Sequence, residues 1–422
     1  METCVEIVLF ILATRQEQEF HSFNRGLDCG RIEYSLGVLR LGYFIFNDLF
    51  VSLNTQKKHN EMAKKQELNT GKSKFQEALD ALNKKYGEGT ILSLGDKNHN
   101  EYDLISTGSI AFDHIALGVG GFVKGKLYEL VGWEGSGKST ICGHAAANCQ
   151  KDGGKVLYID GEHAVDPNYF TALGVDISSM LIAQPSHGEE GFQIALDMIE
   201  TGEVDLVIID SDSSLIPKKV LDGDIGESSI GRKAKLNSDS YPKLKGALSR
   251  NNTCVIVVSQ YREKIGMMFG DPRTTQGGHA LKFYSDVRIE VSKTLAKEGT
   301  EAYGNITKIK AIKNKMAPPF KAVEFEIVFG KGIDQFNEIM TLGSKYDVLR
   351  KYGKTITYLD VKYSVDEFEK LLADNDEFFE QIVKDIIDFI KDETMEPLEE
   401  EIKQIDAQVE ELFKEQEHEN TF

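Results

Sequence analysis

Cysteine is scarce and unpaired in this sequence. The 422 residues contain five, at Cys4, Cys29, Cys142, Cys149 and Cys254. An odd number without CxxC spacing excludes a zinc knuckle and an extracellular disulfide framework, and points to a reducing, cytoplasmic compartment. Long apolar runs are also missing. Residues 5–13 are too few to span a bilayer, and residues 36–53 are interrupted by Arg40, Asn47 and Asp48, so no membrane span is expected. Glu2 and Glu6 stand where a secretory leader carries positive charge. No fixed-period repeat marks a solenoid. Positive charge is outnumbered: the formal net charge of -19, taken as a sum, argues against a nucleic-acid ligand, because Lys and Arg supply most non-specific affinity for phosphate.

The distribution of charge reverses that argument. Residues 395–422 hold ten carboxylates and two lysines, whereas residues 308–321 hold five lysines and no acid, so a basic working surface and an acidic tail can coexist. With 41% hydrophobic and 28% charged residues, the chain can bury a full core in two or three domains. Residues 1–61 form an apolar, aromatic head that gives way to a Lys- and Gln-rich stretch near Asn54. This head is expected to be poorly ordered or to precede a true start at Met62. In residues 62–100, Phe75, Ala78, Leu79, Leu82 and Tyr86 mark one face of a helix closed by Gly87 and Gly89. Residues 101–331 alternate β-branched runs with helical segments, the signature of a mostly parallel sheet covered by helices. Its candidate strands are 127–131, 156–159, 206–209, 255–258, 287–291 and 307–312. Residues 332–394 read as a small separate domain with Phe368, Leu371, Leu372, Ile382, Ile386, Ile387 and Ile390 at helical spacing. Residues 395–422 read as an acidic helical tail with Ile402, Ile405, Val409 and Leu412 on one stripe.

Gly132-Trp133-Glu134-Gly135-Ser136-Gly137-Lys138-Ser139 fits GxxxxGK[ST] between an apolar strand and a helical segment opening at Thr140. Glycines let successive N–H groups face phosphates, the helix N-terminus adds its dipole, Lys138 reaches the terminal phosphates, and Ser139 offers a hydroxyl to magnesium. A second strand, 206–209, ends in Asp210, where a magnesium-organising acid belongs. Alone, Asp210 would read as a turn or cap residue. At a third strand end, Glu162 is the candidate base for an attacking water and Asp160 the lesser one, with helix capping as the alternative for both. His163 has no second His or Cys at ligand spacing and reads as a structural neighbour. ATP and Mg2+ are the implied substrate and ion.

A series of segments carries a family resemblance: Leu104-Ile105-Ser106-Thr107-Gly108-Ser109, the phosphate loop, the run from Asp160 through Asp166 and Pro167, the run from Lys264 to Gly270, Thr274 to Gly278, Ala280 to Tyr284, and Lys313-Asn314-Lys315. In sequence and order these resemble bacterial RecA recombinase, closely over residues 62–329, more loosely beyond, and not at all over 1–61. The resemblance implies an α/β fold, a RecA-type P-loop ATPase core with a mostly parallel twisted sheet flanked by helices, preceded by an oligomerisation helix and followed by a small α+β domain. It implies homologous pairing and strand exchange between single-stranded and duplex DNA by a helical homo-oligomeric filament. Glu162 would activate water, and Gln260 would sense the terminal phosphate. Lys282, Lys313 and Lys315 would reach ATP held by a neighbouring subunit, and Asp166, Tyr169 and Phe329 would pack on adenine.

Two further segments resemble the family's DNA loops: residues 222–231, followed by Arg232, Lys233 and Lys235, and residues 262–278. In the second, Arg262, Lys264 and Arg273 suit phosphates, Ile265, Met268 and Phe269 suit wedging between bases, and Gly277 and Gly278 close the loop. Without the resemblance these would read as surface loops. Several residues depart from the family pattern. Phe329 stands for a tyrosine, Asp212 and Ser214 for apolar residues, and Arg273 for an acid, while Ile230 and Pro242 alter the first loop and its following helix. The departures bear on DNA affinity and on coupling between the DNA loops and the ATP site. They leave open a hexameric helicase-like motor or an ATP-binding regulator as alternatives. The acidic tail is expected to compete with DNA for the basic surface.

Overall fold

The computed structural model describes residues 74–86, 91, 102–224, 231–263 and 273–393. The expected head (1–61), the acidic tail (395–422), and Lys264, Ile265, Met268 and Phe269 lie outside them. The chain divides into two compact units after Asn98. In the first, α1 (Lys74–Tyr86) carries the expected apolar stripe, and Phe75, Leu82 and Tyr86 on it are exposed.

The second unit contains, in chain order, β1 (Leu104–Ile105), β2 (Phe122–Val123), β3 (Leu127–Gly132), α2 (Lys138–Lys151), β4 (Val156–Asp160), α3 (Pro167–Ala172), β5 (Leu181–Ala183), α4 (Gly188–Glu200) and β6 (Leu206–Asp210). A 3-10 turn (Asp212–Ser214), α5 (Lys218–Leu221), α6 (Arg232–Leu248), β7 (Cys254–Glu263), β8 (Arg273–Thr275) and α7 (Ala280–Tyr284) follow. Then come β9 (Val287–Glu298), β10 (Glu301–Asn314), β11 (Ala322–Val328) and β12 (Gly332–Ile333). The main sheet runs β12-β11-β10-β9-β3-β7-β6-β4-β5, with β8 paired to β7.

From β9 to β5 every neighbouring pair is parallel. Strands β3, β4 and β6 are buried along their whole length, as expected of a parallel sheet covered on both faces. Alternation divides their side chains between two cores. Tyr128, Tyr158, Ile208 and Ile256 join one, and Leu127, Leu157, Val207 and Val255 the other. Beyond β9 the sheet turns antiparallel. Gly299, at φ 62°, closes the short β9–β10 hairpin, whereas parallel neighbours need a crossover. The six strand runs expected from sequence are all present, each of them longer than its apolar run.

After β12 come α8 (Gln335–Lys345), the antiparallel strands β13 (Arg350–Tyr352), β14 (Thr355–Tyr358) and β15 (Val361–Ser364), α9 (Val365–Asp374), and a helix over residues 376–393. Phe368, Ile382, Ile386 and Ile390 are buried in the same core as Tyr128 and Ile208. Glu338 on α8 is buried and accepts hydrogen bonds from Ser109 Oγ (2.5 Å), Ala111 N (3.0 Å) and Ile110 N (3.2 Å). Phe368 meets Tyr363 and Phe378 at ring-centroid distances of 5.7 and 5.6 Å. Phe368→Ala is therefore expected to lower stability by about 3 kcal/mol, read as a fall in the urea midpoint. Among the described residues no helix is long and apolar enough to cross a membrane.

Candidate nucleotide site and its surroundings

The phosphate loop leaves the buried end of β3 and enters α2 at Lys138. Gly137 caps that helix at φ 94°, and a Cβ there would lie 2.8 Å from Ile327 Cδ1, so the backbone turn and the close packing both require glycine. Gly135 is also left-handed, at φ 66°. The buried Lys138 ammonium donates to Trp133 O (2.7 Å), Gly132 O (3.2 Å) and Ser136 Oγ (3.3 Å), curled over the loop it would share with phosphates. Burial lowers its pKa. Glu134 and Trp133 are exposed on the loop's outer side, and the Trp133 ring lies 5.9 Å from Tyr261 on β7.

Adjacent parallel strands bring the remaining chemistry to the same edge. Ser139 Oγ, in the first turn of α2, donates to Asp210 Oδ2 at 2.7 Å, and Tyr158 OH donates to the same oxygen at 2.6 Å. Burial raises the Asp210 pKa, a cost that a cation would offset. Just past β4, Glu162 Oε1 accepts from Ser211 Oγ (2.6 Å) and from Gln260 Nε2 on β7 (2.8 Å). Arg262 in turn donates to Gln260 Oε1 at 3.3 Å. Asp160 is buried and accepts from Ala164 N, Val165 N and Gln184 Nε2, bracing the turn after β4, whereas the next helix is capped by Asp166. His163 sits at φ 54° in the same turn.

Other expected site residues are dispersed. Tyr169 OH meets Thr140 Oγ1 at 2.8 Å, and Asp166 caps α3 by accepting from Asn168 N at 2.9 Å. Phe329 is half exposed just past β11. Lys313 donates to the carbonyls of Lys282 (2.7 Å) and Phe283 (3.1 Å) at the end of α7, while Lys315 lies 3.5 Å from Asp286. Burial, and then Lys315, lower the Lys313 pKa. Arg232 donates to Lys219 O at 2.6 Å, and Lys235 pairs with Asp239 at 2.8 Å on the helix surface. Of two further basic residues expected to face DNA phosphates, Lys233 is largely covered and Arg273 is exposed. Lys233 donates to Leu215 O at 2.8 Å and lies over the Phe192 ring, and Arg273 pairs with Glu290 over the Tyr261 ring. Gly277 and Gly278 follow β8 at φ 85° and 78°.

Sequence reasoning missed Ser211 and Tyr158. Tyr158 shares a strand face with Asp160, and its register partner on β6 is Ile208, two residues before Asp210, so period-two alternation could have flagged it. Ser211 has only its adjacency to Asp210 as a signal. Among the described residues no group of three or more His, Cys, Asp or Glu could hold a metal ion. A hydroxyl and a carboxylate, as at Ser139 and Asp210, are oxygen ligands of the kind a magnesium ion takes.

A family model for the RecA N-terminal domain matches residues 73–334. Protein RecA of Macrococcus caseolyticus is 47% identical over 291 residues, covering 68% of this chain and 82% of the relative. Protein RecA of Streptococcus pyogenes serotype M1 is 42% identical over 333 residues, covering 77% and 88%. Protein RecA of Clostridioides difficile is 43% identical over 302 residues, covering 71% and 86%.

Proposed function

This chain belongs to the RecA family of homologous-recombination and DNA-repair proteins, and from that membership we propose that it is a cytoplasmic DNA-dependent ATPase. It assembles with copies of itself on single-stranded DNA and exchanges strands with a homologous duplex. The observation that carries this reading is the meeting of Glu162 and Gln260 (2.8 Å) at the strand edge where Ser139 meets Asp210 (2.7 Å).

The loop N–H groups and Lys138 bind the phosphates of ATP. Ser139 and Asp210 would hold magnesium, which would supply positive charge against the phosphate oxygens. Glu162 accepts a proton from the attacking water, oriented by the Ser211 hydroxyl and the Gln260 amide. Gln260 is neutral, so it can exchange Glu162 for a phosphate oxygen without stranding a charge, and β7 carries it directly into the second DNA loop. Tyr169, Asp166 and Phe329 serve the adenine. Lys282, Lys313 and Lys315 act on nucleotide bound by the adjoining subunit, so assembly depends on ATP. The helicase-like and regulator alternatives have no observation in their favour.

The test is ATP hydrolysis with and without single-stranded DNA at low and moderate salt. Stimulation of about tenfold or more is expected, weakening as salt rises. Turnover indifferent to DNA would overturn the reading.

A further inference from the structure

Asp212 is the centre of a buried polar cluster that the nucleotide site does not use. It begins the 3-10 turn after β6, and its carboxylate is 3% exposed. Tyr241 OH donates to Oδ1 at 2.7 Å, Asn237 Nδ2 donates to Oδ2 at 3.0 Å, and Lys233 Nζ lies 3.4 Å from Oδ1. The three partners stand at intervals of four residues, on one face of α6. A helix face of Lys, Asn and Tyr turned toward one buried carboxylate is costly to desolvate unless the geometry is kept.

One expected DNA loop leads into the helix that bears this cluster, and the other returns onto the cluster itself. Residues 222–231 run into Gly231, which caps α6 two residues before Lys233. The second loop returns through Gly277, where a Cβ would lie 2.1 Å from Asn237 Nδ2 and 3.0 Å from Asp212 Oδ2. The returning backbone therefore rests directly on the Asp212–Asn237 pair, and at φ 85° only glycine fits comfortably. Asn237 Oδ1 is buried and finds no hydrogen-bond partner among the described residues, so the cluster is not saturated in this arrangement.

The residue before Asp212, Ser211, contacts the candidate base. Across the turn the Ser214 hydroxyl accepts from Ser211 N at 3.3 Å and donates to Ser211 O at 2.7 Å, and Ser214 N donates to Ser211 O at 3.2 Å. Ser211 Oγ donates to Glu162 at 2.6 Å. One short turn thus joins Asp212, held by α6 and the Gly277 segment, to the hydroxyl that donates to Glu162.

We propose that Asp212 is a positioning residue that couples the two DNA loops to Glu162 through Ser211, alongside the route through Gln260. This rests on the DNA-dependent ATPase reading. An Asp212→Asn chain keeps the side-chain size, loses the charge that holds Lys233, and puts an amide NH2 against one of the two donors, Tyr241 or Asn237.

The experiment measures hydrolysis with and without single-stranded DNA, the DNA concentration giving half-maximal stimulation, and ATP binding by emission of Trp133, the single tryptophan. The stimulation ratio is expected to fall about tenfold, with DNA-free turnover, ATP binding and half-maximal DNA each within about twofold of the unsubstituted chain. A general loss of structure would depress all four readouts together. Tyr241→Phe removes one hydroxyl and serves if Asp212→Asn does not fold; its ratio is expected to fall about threefold. Normal stimulation in folded variants overturns the inference alone. Absence of stimulation in the unsubstituted chain overturns the ATPase reading, and the inference with it.

Discussion

A Lys138→Ala chain is expected to bind MgATP at least about a hundredfold more weakly and to hydrolyse it about a thousandfold more slowly. The lysine contributes the buried positive charge at the phosphate loop, and its partners there are two backbone carbonyls and the Ser136 hydroxyl. Removing it strands no direct counter-ion, and Asp210 keeps its hydroxyl donors from Ser139 and Tyr158. The loop itself is held by Gly135 and Gly137 in left-handed conformations and by the buried β3. The substitution should therefore leave the fold and remove the binding. A titration with ATP followed by Trp133 emission separates the two, with thermal melting as the control. Undiminished ATP affinity would remove Lys138 from the phosphate site.

Glu162→Gln is expected to have the opposite profile: ATP and ATP-dependent DNA binding near normal, and single-turnover hydrolysis slower by about a thousandfold. Glutamine keeps an oxygen where Ser211 and Gln260 donate, so the local geometry survives, but an amide cannot take a proton from water. Fluorescence anisotropy of labelled single-stranded DNA reads the first property, and rapid-quench hydrolysis the second. DNA-stimulated turnover at the original rate would transfer the role of base elsewhere, with Asp160 poorly suited because its oxygens already accept from Ala164, Val165 and Gln184.

The phosphate loop and the central strands were legible because their chemistry is local. A glycine pattern and an unbroken apolar run each carry their meaning within a few residues. The antiparallel extension was less legible. Residues 307–312 announced a strand, but its full length, Glu301–Asn314, includes polar residues that alternate on an open surface. Strands β13 and β15 were hidden for a similar reason: their side chains are nearly all exposed, so only Ile356 and Tyr358 of β14 carry a core signal. Long-range pairings were beyond reach. That Ser211 serves Glu162 depends on β6 lying between β4 and β7, which no spacing in the sequence states. Lys233 and Arg273 were linked to DNA phosphates through the family resemblance, and no spacing announced that their heads lie against Asp212 and Glu290. Asp212 was visible only as a departure from an apolar expectation. Its meaning required the face of α6 that meets it.

The position of β3 has a bearing on how the chain is made. Leu127 pairs with Val255 on β7 and Tyr128 with Val287 on β9, so the strand that carries the phosphate loop is synthesised well before either neighbour. Until residues 254–291 have left the ribosome, that apolar segment has no sheet to join, and nucleotide cannot help it fold because the loop has nothing to anchor it. Closing such distant pairs is slow, and the waiting strand exposes an edge to other nascent chains. A release or stall ahead of β9 is therefore expected to yield an aggregation-prone fragment in place of a partly folded core.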